Sequence, residues 1–140
     1  MSMKKILAAV DGSEYSASVL DKSIEFAKLF DGTIILVHCH KKIPTAIGQH
    51  YREDVISHII SDAEKVVNMY LPIIKDAGVS VEERIMEEPA GLAISEIARI
   101  EKCDLIIMGS RGLTNLASLI VGSVTNRVLQ TAPCSVLVVR

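Results

Sequence analysis

Two glycine-bearing pieces, Gly109-Ser110-Arg111-Gly112 and Gly122-Ser123-Val124-Thr125, hold the residue types best suited to gripping an anion. Glycines let backbone amides approach phosphate oxygens with no Cβ in the way. A helix start adds unsatisfied N–H groups and the positive end of its dipole. The segment opening at Ser123 reads as such a start, with Ser123 and Thr125 as extra hydroxyl donors, and Leu113 to Val121 separates the two pieces. Together they read as a phosphate cradle in two parts. The competing reading is a turn at Gly109 and Gly112 and a simple helix cap at Ser123. Two better-known phosphate loops are absent, since the chain holds neither GxxxxGKS/T nor GxGxxG.

Other chemistry is thinly represented. Hydrolytic or transfer catalysis needs a general base, a nucleophile or a firmly held metal, and Asp11 is the one acid clearly set at a strand's carboxyl end. Structural capping explains Asp11 equally well. His38 and His40 share one face of a strand end without a third ligand, which reads as rim rather than metal site, and His50 and His58 add no tight spacing. Cys39, Cys103 and Cys134 form no CxxC pair and lie in or beside apolar runs, so they read as small hydrophobes in a reducing cytoplasm. A response regulator would need an acidic pair after the first strand, and a PP-loop ATPase an SGGxDS-like loop. Neither is present.

The elements that must position these residues follow from periodicity. Lys5 to Val10 is a nearly all-apolar strand ending at Asp11-Gly12-Ser13, with Ser13 as N-cap of a helix whose stripe is Ala17, Leu20, Ile24 and Ala27. Asp31-Gly32 ends that helix, with Gly32 expected in the left-handed cap. Thr33 to Cys39 is a second strand, paired parallel to the first, and His40 to Gln49 is a loop. Val55, Ile56, Ile59, Ile60, Ala63, Val66, Val67, Tyr70 and Ile74 make the stripe of a long helix, kinked near Pro72 and capped by Gly78. Val79 to Met86 carries Glu82, Glu83 and Arg84 and suits an edge strand. Pro89 opens a helix facing the sheet through Ala93, Ile94, Ile97 and Ala98. Leu105 to Met108 is a buried strand, Gly109 to Gly122 is irregular, Ser123 to Thr131 is a short helix, and Cys134 to Val139 is a last strand. Strands and helices alternate, which specifies an α/β fold: a doubly wound five-stranded parallel sheet with helices on both faces, its ligand outside the carboxyl ends of the strands.

The whole, residues 1–140, is expected to be one domain, with 49% hydrophobic residues to fill its core. Fifteen basic against 17 acidic residues give a net charge of −2, which argues against nucleic acid as main partner. Apolar runs of strand length argue against a membrane span or signal peptide, and the expected location is the cytoplasm.

The G-x2-G-x9-G-S spacing from Gly109 to Ser123 resembles the ATP-binding signature of the universal stress protein family. The opening Ile6 to Ser13, the stretch from Pro89-Ala90 to Gly109 and the ending Ala132 to Val139 resemble it too, leaving His40 to Met86 generic. The resemblance implies strand order 3-2-1-4-5 and an adenine nucleotide as ligand, ATP or else ADP or AMP, with magnesium or manganese beside it. Ala9, Val10 and Val37 would border the adenine, and Asp11 would lie near the ribose or metal. Met108, Gly109 and Gly112 would flank the ribose and α-phosphate. Gly122, Ser123, Val124 and Thr125 would take the outer phosphates, with Arg111 as an additional charge partner. Glu87, Ser135 and Ala117 depart from the family pattern, and Ala117 leaves the phosphate loop less positive, which favours a less charged ligand. The implied role is a stress-response sensor or switch with little turnover. The alternatives are a slow magnesium-dependent ATPase, an AMP binder, or a dimeric member that has lost its ligand. Val136 to Val139, apolar throughout at an expected sheet edge, predicts a homodimer.

Overall fold

The structure, a computed structural model, describes residues 3–46, 48–111 and 121–140. Five strands form one parallel sheet: β1 (Lys5–Ala9), β2 (Thr33–His40), β3 (Val81–Glu87), β4 (Leu105–Gly109) and β5 (Ser135–Val139). Between them run α1 (Tyr15–Phe30), α2 (Gln49–Asp76), α3 (Ala90–Ile100) and α4 (Ser123–Thr131). The sheet order is β3-β2-β1-β4-β5, as expected. Register is set by pairs such as Ala9↔Val37, Ala8↔Ile107 and Gly109↔Val139.

Successive side chains of a strand point to opposite faces, and the core divides accordingly. Ile6, Ala8, Ile34, Leu36, Leu105 and Ile107 pack with Val19 and Leu20 of α1 and Val67, Tyr70 and Ile74 of α2. Leu7, Ile35, Val37, Ile106 and Met108 pack on the other face with Ile94, Ile97 and Ala98 of α3 and Val128 of α4. This two-sided burial is why the central strands lack polar alternation. Each fully buried Ile or Leu contributes about 1.5–3 kcal/mol.

Several local expectations are corrected. Ser13 does not cap α1: the N-cap is Glu14, with no side-chain cap bond, because Ser13 belongs to the turn made by Asp11. The buried stripe of α1 is Ser16, Val19, Leu20, Ser23 and Ala27, and Ala17 is exposed. The left-handed cap residue is Asp31 (φ 51°) rather than Gly32. Gly32 is required for a different reason, since a Cβ there would lie 2.6 Å from the Met3 carbonyl oxygen. The long helix starts at Gln49, runs through Pro72, and has Ala77 as C-cap ahead of Gly78 (φ +78°). The helix opening at Ser123 has Gly122 as its N-cap. On the β3 edge, the Arg84 guanidinium donates to Glu101 at the end of α3, with Nε at 2.9 Å and the terminal nitrogen at 2.7 Å.

Candidate functional site

In the order β3-β2-β1-β4-β5 the chain leaves β1 toward β2 on one side and later fills β4 on the other, so the connections diverge between β1 and β4. That divergence opens a crevice at the strands' carboxyl ends. A cleft of about 610 Å³ occupies it.

Three chain segments build the cleft floor. Beyond β1, the Val10 N–H donates to the Val37 carbonyl at 3.0 Å, continuing the ladder for one residue. Asp11 then turns the chain: its Oδ1 accepts from the Ser13 N–H at 2.9 Å and from the Ser16 hydroxyl at 3.2 Å, while the Asp11 N–H donates to Ser16 Oγ. Oδ2 has no such partner among the described residues. Gly12 (φ +83°) makes this turn possible, because few L side chains tolerate that backbone.

The second segment is the end of β4. Ser110 donates its N–H to the Val139 carbonyl and accepts from the Gly122 N–H, both at 2.7 Å, binding β5 and the approach to α4 to one residue. The Thr125 hydroxyl, buried, donates to the Gly109 carbonyl at 2.7 Å. This anchors the first turn of α4 beside β4 and commits the hydroxyl proton expected to face a ligand. A Cβ on Gly109 would lie 2.8 Å from Tyr15 Cβ, so this glycine admits α1 against β4.

The third segment is α4's start. Its first internal bond runs from the Asn126 N–H to the Gly122 carbonyl at 2.9 Å, and no side chain caps the end. The amides of Ser123, Val124 and Thr125 therefore have no intrahelical acceptor, and all three residues line the cleft. The helix dipole adds to their pull on an anion.

Ala9, Val10, Asp11, Val37, Met108, Gly109, Arg111, Gly122, Ser123, Val124 and Thr125 all line this one cleft. Gly112 and Ala117 lie outside the described residues. Sequence reasoning missed the wall from α2, where Ile59, Asp62, Ala63 and Val66 line the cleft, and it left Tyr15, His38 and Glu88 without a place in it. The α2 contribution was present in the helical stripe, but a stripe does not say which of its turns overhangs a strand end. The Glu87 carboxylate accepts from the Ile43 N–H at 2.9 Å and fastens the segment after β2.

His38 is buried, and its Nδ1 donates to the Val10 carbonyl at 2.9 Å; His40 donates through Nδ1 to the Lys41 carbonyl at 2.7 Å. No cluster of three or more metal-ligating side chains occurs among the described residues. Asp11 lines the cleft and keeps Oδ2 outside the hydrogen bonds of its own turn. Burial, with Glu88 adding to it, pushes the Cys39 thiol up to about 11. Burial, then Cys134 and Glu101, pushes Cys103 up to about 11. Both stay protonated thiols near neutrality. No helix among the described residues is long and apolar enough to cross a membrane.

Comparison with known proteins gives a consistent family. A sequence model of the Universal stress protein family matches residues 3–140. The chain is 34% identical to a universal stress protein of Thermus aquaticus over 98% of each chain. It superposes on the solved structure of the protein MJ0577 with a TM-score of 0.88 at 30% identity, covering 99% of this chain and 96% of that one. At lower identity the fold recurs in a universal stress protein from Archaeoglobus fulgidus in complex with dAMP (TM-score 0.73, 22% identity, 100% of both chains). It recurs again in a universal stress protein in complex with cAMP (TM-score 0.66, 24% identity, 100% of this chain and 98% of that chain).

Proposed function

Because the chain belongs to the universal stress protein family, we propose that it is an adenine-nucleotide-binding regulatory protein that holds ATP, ADP or AMP in the cleft at the carboxyl ends of β1 and β4. The observation that carries this reading is the uncapped start of α4, with the Ser123, Val124 and Thr125 amides opening on the cleft. The dAMP and cAMP complexes of two relatives lend support at the level of ligand class.

The reading runs from residues to roles as follows. The phosphates lie against Gly122 to Thr125, with Arg111 and Gly112 as further partners from the first glycine-bearing piece. Met108 and Gly109 border the ribose, Ala9, Val10 and Val37 the base, and Asp11 offers Oδ2 to the ribose or to magnesium or manganese arriving with the nucleotide. The metal would neutralise phosphate charge. Asp11 is held for this by the Ser13 amide and the Ser16 hydroxyl.

A sensor with little turnover fits better than an efficient hydrolase, because among the described residues the cleft's histidines, His38 and His40, each spend Nδ1 on a backbone carbonyl and one oxygen of Asp11 is spent on its own turn. Titration of ligand-stripped protein with ATP, ADP and AMP, with and without magnesium, tests the reading. Micromolar or tighter binding of at least one is the expected result, and metal-dependent ATP turnover lost in Asp11→Ala would favour the slow ATPase.

The same family reading extends to a homodimer through Val136 to Val139. Support comes from the position of β5, paired to β4 on one side and at the sheet edge on the other among the described residues. Val136, Leu137 and Val138 are only partly buried there.

A further inference from the structure

The chain that follows β2 is tied down along its backbone. The Glu88 N–H donates to the His40 carbonyl at 2.9 Å, and the His40 ring donates through Nδ1 to the Lys41 carbonyl at 2.7 Å. The Glu87 carboxylate accepts from the Ile43 N–H at 2.9 Å, and the Arg52 guanidinium of α2 donates to the Pro44 carbonyl at 3.3 Å. A polar surface connection is ordinarily among the looser parts of a fold. Residues 41–44 are instead pinned to β3 and α2. One strong group there is left unspent: Lys41 lines the cleft, and its ammonium enters no hydrogen bond or ion pair among the described residues.

We infer that Lys41 is a further phosphate-binding residue of the cleft, meeting the phosphate nearest the ribose, and that Glu87 is the positioning residue that keeps it there; this rests on the nucleotide reading above. Charge is the first reason. Asp11, Asp62 and Glu88 line the cleft against Lys41 and Arg111, so a phosphate entering it meets an excess of carboxylates. The start of α4 answers with partial charges, and a full ammonium adds a charge-assisted bond.

Reach is the second reason. β2 lies beside β1 and two strands from β4, where the phosphates are held. Neighbouring strands are about 5 Å apart, and an extended lysine stem crosses roughly one such spacing. From the end of β2 the ammonium therefore extends over β1 and stops short of α4. The phosphate joined to the sugar lies in that interval.

The third reason is the pin itself. His40 and Glu87 are register partners at the ends of β2 and β3, so the Glu87 carboxylate stands beside the point where the chain leaves the sheet. It catches the N–H of Ile43, two residues beyond Lys41. A lysine on a fixed backbone loses less freedom when it binds than one on a loose loop. Without an acceptor at position 87 the Ile43 N–H loses its partner and that advantage goes.

Three variants separate charge, positioning and packing. Lys41→Gln removes the charge, Glu87→Ala removes the acceptor, and Glu87→Gln restores an acceptor oxygen without the charge. Calorimetric affinities for adenosine, AMP and ATP are compared in the wild type and all three, with melting temperatures as the control for folding. Lys41→Gln is expected to weaken AMP and ATP alike by about 10-fold and to leave adenosine unchanged. Glu87→Ala is expected to show a smaller loss of the same pattern, and Glu87→Gln to recover the wild-type affinities. AMP affinity unchanged in Lys41→Gln overturns the inference while leaving the nucleotide reading standing. A loss equal for adenosine and AMP makes Lys41 part of the wall around the base and also overturns it. A loss confined to ATP moves the contact to the outer phosphates, against the assignment made here. Wild-type behaviour of Glu87→Ala, or a loss that Glu87→Gln does not recover, removes Glu87 as the positioning residue. Failure of the wild type to bind any of the three ligands sinks the nucleotide reading and the inference with it.

Discussion

Single residues fix the cleft's shape more than its composition suggests. Thr125 is the clearest case: its hydroxyl holds the Gly109 carbonyl at 2.7 Å, so Thr125→Val leaves that acceptor unpaired. A loss of about 1–3 kcal/mol in urea unfolding is expected. Gly32→Ala drives a Cβ to 2.6 Å from a backbone oxygen and should cost about 1–3 kcal/mol, whereas Gly48→Ala, with nothing within 4 Å, should be near neutral. Comparing the two melting temperatures checks close approach against glycine content as the cause. The thiols make a pH prediction. Cys39 and Cys103 are raised to about 11 from the ordinary 9.0, so the folded state holds its protons more tightly than the unfolded state. Their contribution to stability is complete below pH 9 and is lost as pH rises from 9 through 11. Unfolding midpoints of the wild type and a Cys39→Ala, Cys103→Ala double variant should diverge least at pH 10–11. Alkylation of the native thiols should stay slow until pH approaches 11.

At the scale of elements, the strands were legible because two-sided burial writes itself as unbroken apolar runs, as at Ile6 to Ala8 and Leu105 to Met108. The face of α1 was not. Ser16 and Ser23 are buried there because their hydroxyls find partners, Ser16 on Asp11 and Ser23 on the Val19 carbonyl at 2.7 Å. Hydropathy scores such residues as polar and rotates the stripe toward Ala17. The cap at Ser13 failed for a related reason: Asp, Gly and Ser in sequence suit a cap, but Asp11 spends its carboxylate on a turn first. The anion-binding character of α4 was legible in Gly122 to Thr125. Thr125's use as a tether to Gly109 was not, since it depends on a strand end 16 residues away.

For the whole molecule, the sheet order brings residues from position 9 to position 125 around one cleft, which is why the G-x2-G-x9-G-S spacing announces only the side of it made by β4 and α4. The same order leaves β5 at an edge. Val138 is half-buried and belongs to neither core cluster, so Val138→Lys should spare the fold. Sedimentation of the wild type should show a dimer at micromolar concentration, and Val138→Lys should shift it toward monomer. A wild type that is monomeric across that range would contradict the proposed interface.

The most direct test of the nucleotide cleft lies at Ser123, the first residue of α4, where proline is compatible with helix geometry and Gly122 already has the extended backbone (φ −67°, ψ 161°) that proline requires before it. Ser123→Ala removes the hydroxyl alone, and Ser123→Pro removes the amide donor as well. In calorimetric titrations with ATP and magnesium, Ser123→Pro is expected to bind about 10-fold or more weakly than Ser123→Ala, with both variants folded. Equal ATP affinity in the two variants would show that the start of α4 does not hold the phosphates, and would contradict the account at its centre.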